Sequence, residues 1–113
     1  MRALEQAGVI SDYRANIDPA SVGLGFSAIV FATLRESTKV GVAAFETALE
    51  GIREITDAQR LFGDPDYMVR VVTRDLSAFQ HLYDERLSAL PSVLRLRSTL
   101  VMKNIFQNRP LPI

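Results

Sequence analysis

No cysteine occurs anywhere in the chain, which excludes disulfides, thiolate nucleophiles and zinc–thiolate centres and leaves a reducing, cytoplasmic setting open. Excess charge of either sign is missing too. Thirteen basic side chains are balanced by thirteen acidic ones, so the chain by itself has no electrostatic grip on a phosphate backbone, and a nucleic-acid partner would need another domain. Long apolar runs are also lacking. The longest, VGLGFSAIVFATL from Val22 to Leu34, falls well short of the ~20 residues a membrane span requires, and the N-terminus has no charged-then-apolar export layout.

What is present suits one soluble domain. The 113 residues are 48% hydrophobic and 23% charged, ordinary globular usage and enough chain for a single core. Phe26, Ala28, Val30, Ala32 and Leu34 alternate with Ser27, Ile29, Phe31 and Thr33, the period of a strand with apolar residues on both faces. After RESTK the spacing changes: Val42, Phe45, Leu49 and Ile52 follow helical periodicity, with Ser37 or Thr38 as N-cap. A more polar strand is predicted over Ile55 to Phe62, reversed by the turn GDPD into a strand from Tyr67 to Thr73. Asp75 can cap a second helix carrying Leu76, Phe79, Tyr83, Leu87 and Leu90 on its apolar side, with Pro91 as its stop. A last strand is predicted over Val93 to Ile105.

The order β-α-β-β-α-β is that of an α+β ferredoxin-like sandwich: a four-stranded antiparallel sheet with two helices on one face. The strands bear apolar residues on the other face as well, Ile29 and Phe31 opposing Val30 and Ala32, and Leu96, Leu100 and Met102 opposing Val93, Val101 and Ile105. An uncovered apolar face marks association, so the expectation is a homodimer packed through its sheets. The alternative is that the N-terminal segment and C-terminal tail cover that face. The first residues, MRALEQAGVISDYRANID, read as a helix end stopped by Gly8, then an extended piece over Val9 to Ala15 and a turn at Asp18-Pro19, as if cut from something longer.

No catalytic constellation is visible. His81 falls within the second helix and is best read as solvated, and any Ser-His-Asp triad would have to use it. Gly23 and Gly25 lead into a strand and not a helix N-terminus, so they form no phosphate cradle. Asp64, Asp66 and Asp75 lack the spacing of a calcium loop, and neither metal nor cofactor is expected. Arg95, Arg97 and Lys103 share one side of the last strand and read as an ordinary polar face. The turn FGDPD allows two readings. Asp and Pro are turn residues and Gly63 supplies an unusual backbone angle. The same turn can also be a rim whose N–H groups hold a small carboxylate while Asp64 or Asp66 accepts from an ammonium, the two charges of an amino acid.

Three stretches, LEQAGVISDYRANIDPASVG, FGDPDYMVRVVTRDLSAFQHLYDERLSALPSV and RSTLVMKNIFQNR, resemble in that order the linker and ligand-sensing domain of the Lrp/AsnC transcription regulators. The most specific parts are LE-x-x-GVI, Gly-Asp-x-Asp-Tyr, DLSAF and LP-x-V. The resemblance implies that residues 1–22 are the end of a DNA-binding-domain helix and a linker strand, and 23–113 the sensing and oligomerisation domain. It implies no enzyme, but homodimers that assemble further, commonly as octamers, contacting DNA only through a helix-turn-helix domain missing from these residues. It also implies an amino acid effector bound between dimers, by Gly63, Asp64, Asp66 and Tyr67 of the hairpin and Ser98, Thr99, Leu100 and Val101 of the last strand. Pro65 and Phe62 depart from the family pattern, and Phe62 is expected to narrow the pocket. Two other readings compete: a stand-alone or ligand-independent oligomerisation module, and a small dimeric α+β-barrel enzyme using His81, Asp66 or Tyr67.

Overall fold

Alternation along β1 (Phe26–Leu34) sends Ala28, Val30, Ala32 and Leu34 to one face, where all four are buried, and leaves Ile29, Phe31 and Thr33 half-buried on the other. The computed structural model describes residues 23–113, so the expectations for residues 1–22 lie outside the described residues. Thr38 caps α1 (Lys39–Glu50), its Oγ1 accepting from Gly41 N–H at 3.1 Å. Asp75 caps α2 (Leu76–Glu85) through Ala78 N–H at 2.8 Å. The helical periodicity puts Phe45 and Leu49 of α1, and Phe79 and Leu82 of α2, into the core. Leu76, expected on that apolar side, is exposed instead, at the first position of the helix and one turn before its first buried residue, Phe79.

With β2 (Ile55–Arg60), β3 (Tyr67–Thr73) and β4 (Val93–Leu100) the sheet order is β2-β3-β1-β4, all antiparallel. This is the ferredoxin-like sandwich, with both helices on one face and the core between. Register places Ile29 and Phe31 beside Arg70 and Met68 on the open face, where the Arg97 guanidinium lies 5.1 Å from the Phe31 ring centre. The open face is thus mixed, apolar patches under arginine, and not purely apolar.

Three boundaries differ from the sequence reading. β2 stops at Arg60 because Leu61 N–H already closes the hairpin onto Asp66 C=O at 2.8 Å. After Glu85 the second helix tightens into a single 3-10 turn, Leu87–Ala89, before Pro91. The last strand ends at Leu100 and not Ile105, since its partner β1 starts at Phe26 and the final ladder bond is Val101 N–H to Ser27 C=O at 3.0 Å. A register shift opposite Thr33 and Leu34 also turns both Val93 and Leu96 toward the core, so these two do not oppose each other as alternation alone predicts. Beyond β4, Met102, Ile105, Phe106, Leu111 and Ile113 are exposed.

Candidate functional site

The hairpin between β2 and β3 is built from the turn outward. Gly63 has φ +137°, backbone that side chains rarely adopt, and the space a Cβ would enter is empty, so the glycine answers a conformational need and not a steric one. The Asp64–Pro65 peptide is cis. Phe62, Gly63 and Asp64 are exposed, and Asp64 has no side-chain partner among the described residues. A side chain with no protein partner is free to meet a ligand or another chain.

Asp66 is placed differently. Its N–H donates to Ala32 C=O at 3.0 Å, and its Oδ2 accepts from Leu34 N–H at 2.8 Å. The carboxylate thereby supplies the acceptor that β1 would otherwise lack where β3 gives way to the turn. Asp66 latches the hairpin turn to the end of β1 through one of its two carboxylate oxygens.

Tyr67 turns inward. It is 3% exposed, its ring centre is 4.7 Å from that of Phe45, and its hydroxyl donates to Glu46 Oε2 at 2.5 Å. Arg60 donates to the same oxygen, through Nε at 2.9 Å and through a guanidinium NH2 group. Glu46 and Arg60 escaped sequence reasoning. Arg60 faces Tyr67 across the hairpin only because β2 stops two residues earlier than the sequence suggests, and Glu46 arrives only through the packing of α1. These residues border an open groove of about 570 Å³ between α1 and β2, floored by Leu49, Ile52 and Ile55.

Those hydrogen bonds, the Tyr67 hydroxyl first and then Arg60, hold the Glu46 carboxyl below the ordinary glutamate range. Tyr67 is pushed up, chiefly by burial and then by its bond to Glu46. A lowered carboxyl stabilises the fold above its unfolded pKa, and the contribution disappears as pH falls through the folded value. The melting temperature is therefore expected to fall on acidification below the glutamate range, less steeply in Glu46→Gln. Thermal melts from about pH 6 to about pH 3 test this, and identical slopes in both proteins would refute it.

Ser98, Thr99 and Leu100 pair with Val30, Ile29 and Ala28, at the opposite end of β1 from Asp66. Four residues of strand rise and two strand spacings separate Asp66 from Thr99, roughly 16 Å. One chain therefore does not bring the two groups of expected ligand residues together. Asp75 is engaged as a helix cap and His81 is exposed on α2. Among the described residues no cluster of three or more His, Cys, Asp or Glu side chains is placed to hold a metal, and no helix is long and apolar enough to cross a membrane.

Comparison with known proteins bears on this geometry. Residues 27–111 match the family model of the Lrp/AsnC ligand binding domain. An uncharacterised HTH-type transcriptional regulator of Sinorhizobium fredii is 35% identical over 109 residues, covering 96% of this chain and 86% of that protein. The leucine-responsive regulatory protein of Escherichia coli is 31% identical over 113 residues, all of this chain and 69% of that one. Among solved structures, the Neisseria meningitidis transcriptional regulator NMB0573 in complex with L-Met superposes with a TM-score of 0.80 at 29% identity, covering 96% of this chain and 70% of that chain.

Proposed function

The chain belongs to the Lrp/AsnC ligand-binding domain family, and from that premise we propose that it is the sensing and assembly domain of a transcription regulator, taking an amino acid at a site completed only when copies meet. The relatives are transcriptional regulators, which sets the small-enzyme reading aside. The observation that carries the proposal is the separation of the two groups of residues: an exposed turn at Gly63 and Asp64, and a strand end exposed at Ser98, Thr99 and Leu100 and half-buried at Val101, too far apart for one amino acid to bridge within a chain.

The effector's carboxylate meets backbone N–H groups around Gly63, its ammonium meets Asp64 or the remaining oxygen of Asp66, and its side chain meets Ser98, Thr99, Leu100 and Val101 of a neighbouring copy. Tyr67 contributes by fixing the hairpin from beneath. The assembly is a sheet-to-sheet homodimer that associates further, as an octamer, in the cytoplasm. DNA is contacted through a helix-turn-helix domain, which the described residues do not include. Ligand controls DNA binding by linkage: held between dimers, it favours one assembly, and assembly sets how the DNA-binding domains are spaced. That effect requires different affinities for two assemblies, not tight binding as such.

A thermal-shift screen against all amino acids at millimolar concentration tests this. An effector at 100 times its Kd adds ~2.7 kcal/mol, a shift on the order of 10 °C in a domain of this size. A flat response across the panel would leave the ligand-independent assembly module as the better reading. The relative solved with L-Met makes methionine a natural first compound.

A further inference from the structure

The outer strand β2 is left uncovered on its helix side. Ala58 faces that side, opposite the buried Val69, yet it is exposed, and the space beside it is the groove of about 570 Å³ between α1 and β2. β2 is also an edge strand, paired only with β3. The bonds from Leu61 N–H to Asp66 C=O and from Val72 N–H to Glu54 C=O fix which of its residues turn toward β3. Asp57 and Gln59 do, so the N–H and C=O groups of Ala58 and Arg60 point outward, with no strand to receive them. Ile55, before the register shift, already gives its N–H to Ile52 C=O at 3.2 Å. Sheet edges are commonly blunted by proline or by a charged side chain. Between Asp57 and Gln59 this edge carries only the methyl group of Ala58, which leaves the backbone open to approach.

We propose that β2 is a docking edge for an extended segment of a partner protein whose residues alternate between apolar and basic. The segment adds to the sheet by bonding the outward backbone groups of Ala58 and Arg60, the β-addition mode of peptide recognition. Every second side chain then lies over the groove and is apolar, to match a floor of Leu49, Ile52 and Ile55. Charge decides what the others are. Arg60, the cation bordering the groove, is spent on Glu46, whereas Glu50 has no partner among the described residues and Asp57 is exposed, held only at 3.8 Å by Arg70. An acidic segment would oppose these carboxylates, and lysine or arginine answers them. Docking here uses neither Gly63 nor Asp64 and needs no amino acid effector.

Fluorescence anisotropy of a labelled synthetic hexapeptide alternating valine and lysine tests this on the whole chain. Wild type is expected to bind it and to ignore a twin with glutamate in place of lysine. Ala58→Pro removes an outward N–H without touching a bond to β3, and is expected to weaken binding about tenfold at wild-type circular dichroism. Glu50→Lys is expected to weaken it as well. The same peptide methylated on its backbone nitrogens, added to wild type, reads the backbone contact with the protein unaltered, and it decides the matter where Ala58→Pro fails to fold. No binding of the valine–lysine peptide, equal binding of its glutamate twin or of its methylated form, or unchanged affinity in Glu50→Lys would each overturn the docking edge.

Discussion

Phe45→Ala is expected to cost about 3–5 kcal/mol, a large share of the ~5–15 kcal/mol that holds a domain of this kind together. Phe45 is 0% exposed and sits on the inner face of α1 with its ring against Tyr67. Truncation loses the transfer free energy of the ring and leaves a cavity that the sheet, tied by its ladders, can only partly collapse. The loss reaches the candidate site, because Phe45 supports the ring of Tyr67 and the next residue, Glu46, accepts its hydroxyl. Urea unfolding measures this, with a lowered midpoint and an unchanged slope. Phe62→Ala is the control, the same truncation at a fully exposed position, and monomer stability should hardly move. A cost under about 1 kcal/mol for Phe45→Ala would mean that α1 does not pack as described.

Several elements were legible in the sequence because their signal is local. The alternation of β1 from Phe26 to Leu34, the span of β3 from Tyr67 to Thr73 and the Asp75 cap each depend on residues within a few positions of one another. The end of β4 was not legible, because Met102 to Ile105 continue a reasonable strand pattern and only the start of β1, on another part of the chain, withdraws the pairing partner. The same limit applies at the site. Gly63 and Asp64 were recognisable as a turn from their chemistry, but that Asp66 reaches β1 depends on the register of β1 against β3. The stretch from Ser98 to Val101 came from family resemblance alone. Its distance from the hairpin became visible only once the strand order was known.

Asp66 can act as a ligand group or as a latch, and two substitutions separate these roles. In Asp66→Ala the Leu34 N–H, part-buried, loses its acceptor, at an expected cost of about 1–3 kcal/mol with faster hydrogen exchange at Leu34. Asp66→Asn keeps a carbonyl oxygen for that N–H and removes only the charge, so most of the stability should survive. A latch therefore predicts that Ala weakens both stability and effector affinity, by letting the rim drift from β1, while Asn preserves both. An ammonium ligand predicts that Asn loses affinity on an intact fold, since only the charged oxygen attracts the cation strongly. The geometry favours the latch, because an Asp66 carboxylate oxygen already accepts from Leu34 N–H at 2.8 Å while Asp64 stands exposed at the tip. Leu34 exchange unchanged in Asp66→Ala would refute that role. Affinity unchanged in Asp66→Asn would pass the ammonium to Asp64, whose carboxylate meets no protein group among the described residues.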